Sequence, residues 1–480
     1  MNNLFEHQKK GIEFLKERKK AILADEMGLG KTRQAIIAAG EDSDESILVV
    51  CPASLKINWK REIATVYEED TIFIAQTGKD ELPGGYAWYI VNYDLLEKLK
   101  DQIQALIDAK EIGTAIFDEI HYIKGKTIRA KASLEIAKNL QRVYGLTGTP
   151  MLNRPIELYH PLKAIQHPLG LLSRKEYGVR YCGAYLRQLG FYGARFWDET
   201  GATNLGELRE RLGNAMLRRT KKDALDLPAK IISKLDVEMT KEQRGEYESA
   251  WENYLQWVRE NQPEKDLGNI LIAQQLVELG KLKQVCSRSK IKRVIDDVEN
   301  AVQQGNKVIV FSSYTNTIHE IAEGIRKIKI QKPGEVKKDV KAKAVTLNGS
   351  DNQDQRQKAV DEFQNDEQVV AFVGNIKAAG VGLTLTKASI VIFADMDWSP
   401  EVHSQAEDRA HRIGQSETVN VYYYVCTDTI EEDIVEMLDQ KKKVILEILE
   451  GKKDRVKAVA MGEEIIKKVA QRSSYQQLKN

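Results

Sequence analysis

Short apolar runs recur along the first third of the chain, at Ile47–Cys51, Thr71–Ala75, Trp88–Tyr93, Thr114–Asp118 and Val143–Leu146, with helix-compatible segments between them. Runs this short and this continuously apolar suit strands buried on both faces. Their alternation with helices predicts a doubly wound parallel sheet. The pattern returns at Lys307–Ser312, Ala342–Leu347, Gln368–Val373, Ser389–Ala394 and Val419–Val425. From about 160 to 300 such runs are missing and the segment reads as mainly helical, with Pro228 and Pro263 marking breaks. Near the C-terminus Val444, Ile445, Leu446, Ile448 and Leu449 are interleaved with Lys441-Lys442-Lys443, Lys452, Lys453 and Arg455, which predicts an amphipathic helix packed on the second lobe. The chain is expected to be α/β, with parallel-sheet lobes over 1–160 and 301–430, a helical insertion over 161–300 and a C-terminal helical brace over 431–480.

Four segments at predicted strand ends carry the candidate chemistry. Asp25-Glu26-Met27-Gly28-Leu29-Gly30-Lys31-Thr32 resembles a phosphate-binding loop. Gly28 and Gly30 allow a tight turn whose backbone N–H groups can wrap a phosphate, Lys31 supplies positive charge for the β- and γ-phosphates, and Thr32 supplies a hydroxyl for Mg²⁺. Asp25 stands where G-x-x-x-x-G-K-[ST] has its first glycine. Ala115-Ile116-Phe117-Asp118-Glu119-Ile120-His121 is an apolar run ending in two acids. Asp118 is suited to hold Mg²⁺ through water and Glu119 to polarise an attacking water; the plainer reading is a strand with an acidic cap. Gly145-Leu146-Thr147-Gly148-Thr149-Pro150 is a strand end with a hydroxyl-bearing hinge near His121. In Gln405 to Gln415, Arg409 and Arg412 stand at i and i+3, which on a helix is one face. They are either a solvated charged face or two cations for γ-phosphate charge.

The order and spacing of these segments describe a two-lobed nucleotide motor. The chain resembles the SWI/SNF-type ATPases of helicase superfamily two over residues 4 to 440. Asp25 to Thr32 is similar to that family's motif I, Asp118-Glu119-Ile120-His121 to its DExH box, Leu146 to Pro150 to motif III and His411-Arg412-Ile413-Gly414-Gln415 to the end of motif VI. Phe5-Glu6-His7-Gln8 resembles the adenine-reading motif. A narrower likeness to the annealing-helicase branch lies in Tyr177 to Cys182, Trp197-Asp198, Asn204 to Leu208, Met216-Leu217-Arg218-Arg219 and Gly382-Leu383-Thr384. Asn375 and Ala379-Gly380-Val381-Gly382 depart from the usual motif V. The large members of that branch carry further substrate-recognition domains, which a chain of 480 residues is expected to lack.

The resemblance implies two RecA-like lobes and a DNA-stimulated ATPase that moves on duplex DNA and remodels DNA or DNA–protein complexes, with strand-annealing or fork-remodelling activity as an extension. Alternatives are a nucleotide-switched DNA-binding scaffold with little turnover and a strand-separating helicase. ATP and Mg²⁺ are the implied cofactors. Nucleotide contacts are expected from Gln8, Asp25, Met27, Gly28, Leu29, Gly30, Lys31 and Thr32, the metal from Thr32 and Asp118, and catalysis from Lys31, Asp118, Glu119, Arg409 and Arg412. Loop ends past predicted strands supply candidate nucleic-acid contacts at Ser54, Thr147, Gly148, Ser312, Asn348, Gly349, Gly380 and Gly382.

Composition narrows the partners. Net charge is only +1, so binding to double-stranded or branched DNA must rest on local patches. Arg326 to Lys343 is one, with eight lysines and arginines against Glu335 and Asp339. At 42% hydrophobic residues the chain can build full cores, and it has none of the ~18-residue apolar runs of a membrane span. Cys51, Cys182, Cys286 and Cys426 are scattered, as expected for reduced core residues. A monomer without a signal peptide is expected, nucleoid-associated in the cytoplasm if bacterial or phage-encoded and nuclear if eukaryotic.

Overall fold

The computed structural model describes residues 4–41, 45–148, 150, 154–188, 195–225, 227–260, 269–331, 339–379 and 383–450. The chain divides into two compact units, one taking in residues up to 185 and then 197–225, the other taking in 227–442. Each is built on one parallel sheet.

The first unit opens with helix α1 (Glu6–Arg18), which ends at Lys19, a residue with φ +59° that swings the chain into β1 (Lys20–Leu23). Helix α2 (Lys31–Gly40) leads to β2 (Ser46–Cys51), and α3 (Lys56–Val66) to β3 (Ile72–Ile74). Strands β4 (Trp88–Asn92), β5 (Ile112–Asp118) and β6 (Arg142–Leu146) follow. The sheet runs β3-β4-β2-β5-β6-β1 and is completed at its edge by β9 (Met216–Leu217), after β7 (Tyr185–Gln188) and β8 (Arg195–Asp198) have formed a two-stranded sheet of their own. All pairings in the seven-stranded sheet are parallel. Alternate side chains of one strand feed different cores: Leu48 and Val50 face one cluster, Ile47 and Val49 the other. Burial on both faces is why these strands read as unbroken apolar runs.

The second unit starts at β10 (Lys230–Val237) and continues through β11 (Lys307–Ser312), β12 (Lys329–Gln331), β13 (Asp339–Lys341), β14 (Lys343–Leu347), β15 (Val369–Asn375), β16 (Ala388–Phe393) and β17 (Val419–Cys426). Its six-stranded parallel sheet runs β10-β17-β16-β11-β15-β14, and β12 and β13 pair separately as an antiparallel hairpin. Val308 and Val310 again face a different cluster from Ile309 and Phe311.

The two parallel-sheet lobes match the expected fold class. The segment from 161 to 300, read as mainly helical, also supplies an edge strand to each sheet: β9 to the first and β10 to the second. Neither leaves a run to detect, because β9 is two residues long and β10 is an edge strand with Ile231 and Ile232 exposed. A helix spans Ile430–Glu450; the rest of the expected brace, with Lys452, Lys453 and Arg455, lies outside the described residues. All four cysteines are buried and free. Among the described residues no helix is long and apolar enough to cross a membrane.

A buried ion pair sits in the second unit's core. Lys290 donates to both Glu431 oxygens at 2.6 and 2.8 Å and to the Tyr424 carbonyl at 3.1 Å, with both charged side chains fully buried. Removing one partner strands a charge in a low-dielectric interior. Lys290→Met should therefore cost about 3–5 kcal/mol, while the double change Lys290→Met/Glu431→Leu should recover most of it. Denaturant midpoints check this, and equal loss in the single and double variants would contradict it.

Candidate nucleotide site

Strand order assembles the first unit's candidate residues. β5, β6 and β1 are neighbours in the sheet and parallel, so their C-terminal ends lie side by side. β5 ends in Asp118, β6 leads into Thr147 and Gly148, and β1 leads into the 25–32 loop. The acid pair, the hinge and the loop thus share one sheet edge, where parallel sheets hold ligands.

The loop has the shape its glycines predict. Gly28 and Gly30 adopt φ of +83° and +73°, and Gly30 caps α2. A Cβ at Gly30 would collide with the Gln8 side chain, so Gln8 lies directly against the turn. Lys31 Nζ donates to the Asp25 and Glu26 carbonyls at 2.7 and 3.2 Å, across the turn. The Leu29 carbonyl lies 3.1 Å from His7 Nε2 and accepts from Gln34 Nε2 at 3.0 Å, which ties the loop to α1 and α2.

The outer side of the loop is held by β9 and the residues after it. Backbone bonds run from Ile22 N to Ala215 O, Ala24 N to Leu217 O and Glu26 N to Arg219 O at 2.7–2.9 Å. Arg219 grips Asp25 with its fork: Nε donates to Oδ1 at 2.9 Å, Nη2 donates to Oδ2, and the Arg219 backbone N–H reaches Oδ1 at 3.1 Å. Arg219 also donates to Gln34 Oε1 at 3.0 Å and to the His7 carbonyl. Arg218 Nη1 bridges the Ala24 and Gly148 carbonyls at 3.1 and 3.2 Å, joining the loop to the hinge.

Asp118 is buried. Its Oδ2 accepts from Trp59 Nε1 of α3 at 2.8 Å, and its Oδ1 from the Glu119 N–H at 3.0 Å. Burial and then the Glu119 carboxylate push its pKa up, against the Trp59 hydrogen bond and the charge of Lys31. Glu119 has φ +49°, a left-handed conformation that disfavours a residue with a Cβ by about 1 kcal/mol or more. Its Oε2 lies 3.3 Å from His121 Nδ1, which is also 3.2 Å from the Thr147 hydroxyl. The acid pair and the hinge are therefore joined through one imidazole.

In the second unit the helix Pro400–Glu407 stops before either arginine. Arg409 and Arg412 do not share a helix face; they lie in the tight turns that follow, where Arg409 N bonds Ala406 O and Arg412 N bonds Ala410 O. The two instead converge on one acceptor, each donating Nη1 to the Leu383 carbonyl at 3.1 Å. Arg409 Nε also bonds the Gln405 carbonyl at 3.0 Å.

Two family models match this chain: the SNF2-related domain over residues 7–291 and the helicase conserved C-terminal domain over 289–414. The chain belongs to the SNF2-related family. It is 31% identical over 468 residues to mouse "DNA annealing helicase and endonuclease ZRANB3", covering 95% of this chain and 41% of that protein. It is 32% identical to the Xenopus tropicalis SWI/SNF-related matrix-associated actin-dependent regulator of chromatin subfamily A-like protein 1, covering 92% of this chain and 45% of that one. The chain therefore spans less than half the length of these relatives. A solved Sulfolobus solfataricus SWI2/SNF2 ATPase core in complex with duplex DNA is 26% identical, with 94% and 93% of the two chains covered and a TM-score of 0.41.

Several expected contacts of this SNF2-related chain are placed differently. Asp25 and Leu29 are fully buried: the first is held by Arg219, and the second offers only its carbonyl, to α1 and α2. Both shape the loop from behind. Thr147 and Ser312 are also fully buried, Thr147 against His121 and Ser312 donating to Asp395 at 2.5 Å, so neither hydroxyl faces a nucleic-acid backbone. Ser54 and Gly349 are exposed and Asn348 is half-buried. Gly148 is buried, with its carbonyl taken by Arg218. Thr149, Gly380 and Gly382 lie outside the described residues.

Arg219 is the residue that the motif reading passed over. It stands in the run Met216-Leu217-Arg218-Arg219, but nothing local reveals a partner 194 positions earlier. Its one signal is the carboxylate at position 25, where other phosphate loops have glycine, since a buried acid calls for a cation. Arg219→Ala leaves that acid unpaired and should cost about 3–5 kcal/mol of stability. Arg219→Lys, which cannot reproduce the fork, should recover only part. Thermal melts of the two variants test this, and a wild-type melt for Arg219→Ala would contradict it.

Proposed function

We propose that this chain is a DNA-dependent ATPase that translocates on duplex DNA and remodels DNA or DNA–protein complexes. The observation that carries the reading is the shared sheet edge, where the loop with Lys31, the Asp118–Glu119 pair and the Thr147–Gly148 hinge meet. Gly28, Gly30 and Lys31 are assigned to the triphosphate and Gln8, packed against the turn, to the base. Glu119 orients and polarises the attacking water. Its held, left-handed backbone and its contact with His121 fix the carboxylate, so little reorganisation is needed during reaction. The His121–Thr147 contact gives the hinge a physical link to the state of the acid pair. Arg409 and Arg412 are assigned to the charge that develops on the transferred phosphoryl group.

Magnesium fits the donors present: the Thr32 hydroxyl and the Asp118 carboxylate are hard oxygens, and Asp118 is a buried acid that burial and Glu119 bias against ionisation. When bound, the ion would neutralise phosphate charge and lower the cost of keeping Asp118 ionised.

Duplex DNA is the proposed track, and branched DNA a proposed substrate, because the matched relatives include a protein named as a DNA annealing helicase. Strand annealing or fork remodelling by this chain is the finer form of the same proposal. Contacts through Ser54, Asn348 and Gly349 to phosphates would carry no sequence information, so unrelated duplexes should serve equally.

Turnover should be low alone and strongly raised by duplex DNA, and the stimulation should fall as salt rises. An equally fast rate in verified DNA-free protein would favour a nucleotide switch over a motor. Lys31→Ala should abolish hydrolysis. Glu119→Gln should bind ATP yet turn over slowly; loss of nucleotide affinity in that variant would reassign Glu119 to structure.

Arg409→Ala and Arg412→Ala should each lower turnover, on the order of 10³-fold if each acts as a transition-state cation, with little change in nucleotide affinity. Steady-state kinetics beside equilibrium nucleotide binding separate the two effects. Normal turnover in both would leave them only the role of holding Leu383.

A further inference from the structure

The β12–β13 hairpin of the second unit is a separate antiparallel pair outside the six-stranded sheet. Its register is fixed by burial. Ile328 and Ala342 are buried, joined by Ala342 N donating to Ile328 O at 2.9 Å, and Ile330, opposite Val340, packs against the core. Strand alternation then sends the intervening positions outward. Lys329 and Lys341 occupy them directly opposite each other, both exposed; exposed Lys327 lies in the turn before β12, and exposed Lys343 opens β14.

Like charges facing each other across a strand pair disfavour the pairing by a few tenths of a kcal/mol or more. Surface lysines usually relieve this with nearby acids, as Lys343 does with Asp366 at 2.9 Å. Among the described residues Lys327, Lys329 and Lys341 make no ion pair. Arg326, exposed in the turn before β12, donates to the Ala344 carbonyl of β14 at 2.9 Å, which commits one of its nitrogens. The result is a core-anchored ribbon presenting ammonium groups on one side, with Asp339, opposite Gln331, the described acid nearest to them in register. Its register leaves a charge conflict that an anion with closely spaced negative groups would relieve. A polyphosphate backbone has that spacing, with one charge per ~1.7 Å of duplex axis.

We infer that this hairpin is a nucleic-acid phosphate-binding face of the second unit, formed by Lys327, Lys329 and Lys341. The inference rests on the DNA-dependent reading above and adds a contact surface separate from the loop-end contacts assigned there. It supplies the local patch that a chain of net charge +1 needs in order to hold DNA. Ammonium groups on flexible stems act as point charges, so the face should contribute affinity and salt dependence without base preference.

The test compares wild type with the triple variant Lys327→Gln/Lys329→Gln/Lys341→Gln, using the full chain and one 30-base-pair duplex, by binding titrations across a salt series. These side chains are exposed and make no ion pair among the described residues, so the melting temperature should not fall, and ATP turnover without DNA should be unchanged. If all three lysines meet phosphates, the log–log slope of affinity against salt should become shallower by about 2–3, at roughly 0.9 per lost contact. The duplex concentration giving half-maximal ATPase stimulation should rise several-fold, with the plateau rate kept. The triple arginine variant should restore the slope. A wild-type slope and affinity in the glutamine variant would overturn the inference and leave the hairpin a solvated face. Weaker binding to phosphatidylserine vesicles with unchanged duplex binding would overturn it in favour of a membrane surface. Failure of wild type itself to bind duplex would instead overturn the DNA-dependent reading, and that result is visible before any variant is compared.

Discussion

The Asp25–Arg219 pair is the constraint on which the nucleotide loop depends. A carboxylate in the first position of the loop is enclosed by α1, α2 and β1, where an isolated charge would cost several kcal/mol. Arg219 satisfies it with a planar fork that matches both oxygens, and the same guanidinium reaches Gln34 and the His7 carbonyl. One side chain thus fixes the loop, the helix before it and the helix after it. The requirement extends to the backbone, because Arg219 can arrive only if its strand pairs with β1, and the bonds from Ile22, Ala24 and Glu26 to 215–219 form that pairing. Substituting acid for glycine converts a local turn into a tertiary junction.

The second unit uses buried polar groups in a comparable way. Asp395 accepts from Ser312, from the Ser313 N–H and from Ser287, which gathers the ends of β11 and β16 and the helix Asn269–Ser289. Lys290 and Glu431 join that helix's end to β17. The Leu383 carbonyl, with two lone pairs, takes both Arg409 and Arg412. Two cations directed at one oxygen are held close together despite their repulsion, a charge density that suits a multiply charged anion.

Much of this was legible in the sequence because it is written locally. Short apolar runs marked ten strands, and the glycines of the phosphate loop and the acids closing β5 carry their chemistry in adjacent residues. What escaped depends on distance or on small size. β1 has only three apolar residues after a lysine-rich helix end, and β9 has two residues in all. The i, i+3 spacing of the arginines suggested a helix face, but the chain had already left the helix at Glu407 for turns that end at Gly414, φ +98°. Thr147 reads both as a hinge near His121 and as a nucleic-acid contact, and its buried hydroxyl is spent on His121. Ser312 reads as a loop-end hydroxyl, and its burial follows from a partner, Asp395, that spacing alone could not supply.

The long reach from Asp25 to Arg219 also bears on how the protein is made. The loop leaves the ribosome well before its counter-charge, which follows 194 residues later. Until then the acid must stay in water, and α1, β1 and α2 lack the clamp that closes them. Chain closures of such sequence separation are slow compared with local helix formation. The nucleotide-binding edge is therefore a late event in the first unit's folding, and its natural boundary is not the end of the last long strand at Leu146 but the short run that ends with Arg219.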